Sequence, residues 1–195
     1  MGMKQETKLT IPDLDLLRAE LQRTKKKKNF GIVLRSTLFT LIVIAAISVL
    51  VATLWMPVLR AFGHSMDPTL GDGDIVITVK SSSFERGDLI AFYANNKMLI
   101  KRVIAGPGDW VVIDEDGTVY VNEERLEEPY INEAALGNCN IKFPYQVPES
   151  SWFVMGDHRE TSLDSRVIEI GCIQDEMIVG RIVFRIWPLR DFGGF

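Results

Sequence analysis

The chain has 195 residues, with 22 Lys+Arg against 26 Asp+Glu, two histidines and two cysteines. That is room for one domain with accessories; the two cysteines form no CxxC and no zinc pattern, with only two histidines to help. Up to position 59 there are nine basic and four acidic residues, and from Arg60 onward thirteen basic and twenty-two acidic; an acidic body repels phosphate, which excludes nucleic-acid binding by the folded part, and the asymmetry suggests one part on each side of a membrane.

Residues 1–35 read as a cytoplasmic head. Leu14, Leu17 and Leu21 recur at helical spacing, with Thr10 as a cap and Pro12-Asp13 as the start of a short helix. The run Lys25-Lys26-Lys27-Lys28 follows, with Arg35 behind it. From Ser36 to Leu59 no residue is charged. Such a run, helical at about 1.5 Å per residue, crosses the ~30 Å hydrocarbon core. Trp55 and Pro57 stand near its far end, and lysines just ahead of it put the N-terminus inside under the positive-inside rule. The run is too long for the apolar core of a cleaved secretory signal, and no clear small-x-small site follows it. Residues 36–59 are therefore read as a retained anchor and residues 60–195 as an extracytoplasmic domain.

That domain reads as mainly β. Ile75–Val79, Leu89–Tyr93, Met98–Ala105, Trp110–Ile113, Thr118–Asn122, Trp152–Met155 and Ile178–Ile186 are short runs rich in β-branched and aromatic residues. Turn signals separate them, among them Arg86-Gly87-Asp88, Asn95-Asn96 and the hairpin signal Asp116-Gly117. The expectation is antiparallel sheets or a partly closed β-barrel behind a single transmembrane helix. Residues 123–150, with their acidic pairs and prolines, read as a long excursion. Cys139 and Cys172 can pair outside the cytoplasm or remain free thiols, and their separation is not legible.

Three stretches carry candidate chemistry. In Gly63-His64-Ser65-Met66-Asp67-Pro68-Thr69-Leu70 a permissive glycine and a rigid proline turn flank Ser65, which suits a presented nucleophile and equally a serine that only satisfies backbone hydrogen bonds. In the strand ending Lys101-Arg102-Val103-Ile104-Ala105, Lys101 shares a face with Leu99 and Val103, while Arg102 lies opposite with Ile100 and Ile104. An ammonium on an apolar face loses hydration, which favours the neutral amine a general base requires; a lysine whose head snorkels to water fits the same pattern. The third stretch, Gly156 to Arg166, crowds hydroxyls and opposite charges into a loop in which Asp164 and Arg166 can pair and Ser162 can orient a neighbour.

Taken together and in this order, with Arg86-Gly87-Asp88-Leu89-Ile90-Ala91-Phe92 between the first two, these stretches resemble the bacterial type I signal peptidases, membrane-anchored serine proteases with a Ser-Lys dyad. The likeness covers most of residues 60–190, is weakest over 123–150 and is absent from 1–30. It implies Ser65 as nucleophile, Lys101 as general base, Ser162 as the hydroxyl orienting the lysine, and Asp164 and Arg166 as the pair holding the loop. It implies no metal or cofactor. Met66, Leu70 and Ile100 match positions lining shallow apolar substrate pockets. Some members carry a serine two residues before the nucleophile as an oxyanion donor; Gly63 stands there in this chain and has no hydroxyl. His64 has no counterpart role, and His158 stands where asparagine is common, so it is read as structural. The implied substrates are secretory preproteins with small residues at positions −1 and −3 before the cut. The implied setting is a monomer at the lipid bilayer, with Trp110 and the residues near Phe62 as candidates for lipid contact.

Three other readings remain open on sequence alone. One is a self-cleaving Ser-Lys repressor-type peptidase, against which the anchor argues. Another is a serine peptidase with histidine as base, against which Lys101 argues. The third is a tethered, non-enzymatic β-domain, which requires Ser65 to be dispensable and Lys101 to have an ordinary pKa.

Overall fold

The computed structural model describes residues 14–195. The chain divides into a unit ending at Val51 and a second running from Ala52 to Phe195. The first described element is one helix, α1, Leu14–Trp55, where the sequence suggested a short helix and then a separate span. The lysine run contains good helix formers and no breaker, so nothing interrupts propagation. Thr10, Pro12 and Asp13, read as the helix start, lie outside the described residues. Within α1, Leu17–Trp55 is long and apolar enough to cross a membrane, and Leu14, Leu17 and Leu21 are exposed. The helix stops at Trp55 rather than Leu59. Pro57 has no N–H to continue it and disfavours helical geometry in the residue before it. Val58–Arg60 form strand β1 instead.

The remaining strands are β2 (Ile75–Val79), β3 (Leu89–Ala94), β4 (Lys97–Ala105), β5 (Trp110–Ile113), β6 (Val119–Val121), β7 (Glu124–Arg125), β8 (Tyr145–Gln146), β9 (Ser151–Met155), β10 (Ile173–Gln174), β11 (Ile178–Trp187) and β12 (Gly193–Gly194). All seven expected strands are present, and the excursion contains the short strands β7 and β8 as well. The larger sheet runs β1-β2-β11-β3-β4-β9-β10, with β12 on β11; the smaller runs β7-β6-β5-β8. Every pairing is antiparallel. Neither sheet closes on itself among the described residues, so the protein is a mainly β, antiparallel-sheet structure without a closed barrel. Asp116-Gly117 does turn the chain between β5 and β6, with Gly117 at φ 87° and its amide donating to the Asp114 carbonyl.

The core falls into three clusters. Ile104, Val111, Val119, Phe153 and Met155 join the two sheets, and Ile90, Phe92, Val103, Val154 and Ile173 fill a second cluster. Met66, Leu70, Val76, Leu89 and Ile182 form the third, which seats the turn bearing Ser65 on the sheet. The two edges of β4 are unequally covered. Lys97–Arg102 pair with β3, but β9 joins β4 only from Arg102 onward. From Lys97 to Lys101, β4 therefore has one edge without a strand partner among the described residues. Cys139 and Cys172 are both free thiols.

Candidate active site

Ser65 sits in the turn between β1 and β2. Gly63 opens this turn at φ 82°, a conformation in which a side chain is strained, and its amide donates to Asp72 Oδ1 at 2.8 Å. The backbone then folds tightly, with Asp67 N–H donating to the His64 carbonyl and Leu70 N–H to that of Met66. The Asp67-Pro68 peptide bond is cis. His64 Nδ1 lies 2.9 Å from Asp67 Oδ2 on the exposed side. Met66 and Leu70 point inward and are buried. The Ser65 carbonyl accepts from the His158 amide at 3.2 Å, whereas the Ser65 amide donates to no group among the described residues.

The turn delivers Ser65 Oγ to within 2.6 Å of Lys101 Nζ. Lys101 is only 3% exposed. Burial penalises its charged form and outweighs the attraction of Asp164, lowering the pKa from 10.5 to about 8. Arg166 lowers it further and Asp157 raises it. The snorkelling alternative is thereby excluded. A lysine at about 8 is partly neutral near neutral pH, and the neutral amine can accept a proton.

The loop after β9 packs behind this pair. Asp164 and Arg166 are both fully buried and joined by two hydrogen bonds of 2.8 Å, from Arg166 Nε to Oδ1 and from Nη2 to Oδ2. Asp164 Oδ2 also accepts from Gly156 N–H at 3.0 Å. Arg166 Nη1 donates to the Leu136 carbonyl at 2.7 Å and Nη2 to that of Arg159 at 2.8 Å. Ser162 is fully buried, and its Oγ has no hydrogen-bond partner among the described residues. It does not contact Lys101 by a hydrogen bond; it lies with the Ser65 carbonyl where a side chain on Gly156 would be. His158 Nδ1 lies 2.8 Å from Thr161 Oγ1, a loop contact.

Sequence reasoning missed a second buried group beside the first. Arg102 grips Asp157 through Nε to Oδ1 at 2.8 Å and Nη2 to Oδ2 at 2.6 Å, and it donates to the Gly87 carbonyl at 2.8 Å. Thr69 Oγ1 donates to Asp157 Oδ2. Asp157 is 1% exposed. Arg102 thus ties its own strand, the Ser65 turn and the rear loop together. The signal was present: a charged residue between Ile100 and Ile104 on a strand face is as costly to bury as Lys101 on the other. What it lacked was a visible partner.

A cavity of about 420 Å³ opens beside Ser65 and Lys101. Met66, Leu70, Met98, Leu99 and Ile100 line it, so the three expected pocket residues do share one space. The unpaired edge of β4 borders the same cavity. The arrangement can therefore hold an extended backbone along a strand edge, seat its side chains in an apolar recess and bring one carbonyl to a hydroxyl backed by a neutral amine. These are the parts of a serine hydrolase acting on a peptide-like chain.

Comparison with known proteins supports a peptidase. A family model described as signal peptidase, peptidase S26, matches residues 33–187, and the chain belongs to that family. It is 39% identical over 151 residues to signal peptidase IB of Staphylococcus aureus (strain Mu50 / ATCC 700699), covering 67% of this chain and 77% of the relative. To signal peptidase I of Streptococcus pneumoniae serotype 4 it is 31% identical over 175 residues, covering 70% and 84%. A crystal structure of a signal peptidase I from Enterococcus faecalis V583 is 30% identical, covers 51% of this chain and 96% of its own, and superposes with a TM-score of 0.42.

Proposed function

We propose that this signal peptidase is an endopeptidase anchored by α1 that removes signal peptides from secretory preproteins with Ser65 as nucleophile and Lys101 as general base. The observation carrying this reading is the 2.6 Å approach of a buried lysine, with its pKa lowered to about 8, to the hydroxyl of a turn serine.

The preprotein's segment before the cut lies extended along the free edge of β4, between Lys97 and Lys101, and turns small side chains into the recess formed by Met66, Leu70 and Ile100. Large side chains at −1 and −3 clash there. Neutral Lys101 then accepts the Ser65 Oγ proton as Oγ attacks the scissile carbonyl. The negative charge that develops is met by the Ser65 amide, which has no competing acceptor among the described residues. Gly63 brings no hydroxyl to the second donor position. Protonated Lys101 returns its proton to the leaving amine as the C–N bond breaks. Water then attacks the ester, giving its proton to Lys101, and the second collapse restores Ser65.

The idle hydroxyl of Ser162 suits an orienting role toward the lysine, and the Asp164–Arg166 pair holds Ser162 in its loop. The N-terminal head lies in the cytoplasm, and residues 60–195 lie outside, next to the bilayer that holds the substrate's own apolar helix. The enzyme acts as a monomer and does not bind nucleic acid.

The test is cleavage of a preprotein by the full chain in detergent. Ser65→Ala and Lys101→Ala are each inactive, while His158→Ala retains most activity. An active Lys101→Ala variant beside an inactive His158→Ala variant refutes the dyad.

A further inference from the structure

The excursion over 123–150 reaches into the machinery at two neighbouring positions. Glu128 forms an ion pair with Arg159, bonded to Nη1 at 2.9 Å and also to Nη2. Their side chains are 6% and 1% exposed. Arg159 in turn donates from Nε to the Gly156 carbonyl at 3.0 Å. Two residues along, the ring of Tyr130 lies 3.9 Å from the Arg102 guanidinium carbon, and the Tyr130 hydroxyl donates back to Glu128 at 2.9 Å. Arg102 holds Asp157, so cations on both sides of Gly156-Asp157 are capped by one short segment. Burial, then the Glu128 charge and hydrogen bond, raise the Tyr130 phenol well above its ordinary value, so it stays a donor throughout the working range.

We infer that Glu128 and Tyr130 form a clamp that positions Lys101 against Ser65: Tyr130 fixes Arg102 on Asp157 and Thr69, and Glu128 fixes Arg159 on Gly156. The clamp presupposes the Ser65–Lys101 dyad of the proposed function. Its physics is electrostatic as well as mechanical. A guanidinium stacked on a ring and forked onto a carboxylate has little freedom. With the ring gone, water reaches Arg102 and its hold on Asp157 loosens. The charged groups acting on Lys101 are Asp164 and Asp157, which raise its pKa, and Arg166, which lowers it. A less compensated Asp157 and a wetter site both favour the ammonium. The acidic limb of the pH–rate profile should then move upward.

The experiment compares wild type, Tyr130→Leu, Tyr130→Phe and Glu128→Gln as full chains in detergent, measuring kcat and KM for a fluorogenic signal-peptide substrate from pH 6 to 10, with Lys101→Ala as control. In Tyr130→Leu, kcat at pH 7 falls about tenfold or more with KM within about twofold, and the acidic midpoint lies above that of wild type. Tyr130→Phe, which keeps the ring, restores both the rate and the midpoint. Glu128→Gln, which keeps the shape but not the charge, falls between them. A Tyr130→Leu enzyme with the wild-type midpoint overturns the clamp, whether its rate is unchanged or lost together with thermal stability. Failure of the dyad itself looks different, because the Lys101→Ala control would then stay active or wild type would show no acidic limb.

Discussion

Lys101 Nζ and Ser65 Oγ meet at 2.6 Å although 36 positions separate them in the chain. Under the proposed mechanism only one protonation state of that contact is productive. As an ammonium, Nζ donates to the hydroxyl and cannot take its proton; as an amine, it accepts from it. With the pKa lowered to about 8, roughly a tenth of the enzyme is in the productive state at pH 7. The value of kcat/KM for a signal-peptide substrate should therefore rise with pH through a single ionisation near 8. A profile flat from pH 6 to 9, or one falling over that range, would show that Lys101 is not the base.

The same shift has a thermodynamic consequence of fixed sign. Between about 8 and 10.5 the unfolded chain keeps the Lys101 proton that the folded chain has lost, so this group makes stability rise with pH across that window. Below about 8 the folded protein carries the full cost of a buried ammonium. Lys101→Met removes it with similar shape and orphans no carboxylate, since Asp164 keeps Arg166 and Asp157 keeps Arg102. The variant should be inactive yet more stable than wild type at pH 7, by up to about 3 kcal/mol. The gain should shrink as pH approaches 10.5. Thermal unfolding in detergent at pH 7 and 10 measures both; a less stable variant at pH 7 contradicts the origin given for the shift.

Much of the fold and site was legible in the sequence because period-2 patterns and turn residues act locally. The seven strands, the Asp116-Gly117 turn and the unusual placement of Lys101 all follow from neighbours in sequence. The proximity of Asp164 and Arg166 was likewise within reach of a two-residue spacing. What stayed hidden depends on pairs far apart in the chain. Glu128 read only as part of the acidic excursion over 123–150 because its partner, Arg159, lies 31 positions away. Arg102 read as a residue on the opposite face because Asp157 and Tyr130 come to it from two separate loops. The single helix through the lysine run was hidden for another reason: composition marks where a membrane segment can lie, whereas only the absence of a breaker decides where a helix continues.

Gly156 offers a steric test of how tightly the rear loop fits the turn. A methyl group there meets Ser162 Oγ and the Ser65 carbonyl at impossible range. One of these obstacles is backbone, so relief requires moving the serine turn and not merely a side chain. Gly156→Ala should fold with a loss of about 1–3 kcal/mol, but its kcat should drop about a hundredfold because the Ser65–Lys101 approach is displaced. Wild-type turnover in this variant would mean that the loop is not seated against the Ser65 turn.

Asp164→Asn separates two effects that usually move together. The Asp164–Arg166 pair is fully buried on both sides, and removing one charge leaves the other uncompensated, at a cost of about 3–5 kcal/mol. Arg166 still donates to the carbonyls of Leu136 and Arg159, which favours retention of the loop's path in the folded fraction. In that fraction Lys101 should be easier to deprotonate. Asp164 is the leading charge that raises the Lys101 pKa and Arg166 opposes it, so losing the carboxylate lowers the pKa by removing one influence and exposing the other. The variant should melt earlier than wild type while its acidic midpoint falls below about 8. A midpoint unchanged from wild type would assign Asp164 a purely mechanical part in holding Ser162, with no electrostatic reach to the amine.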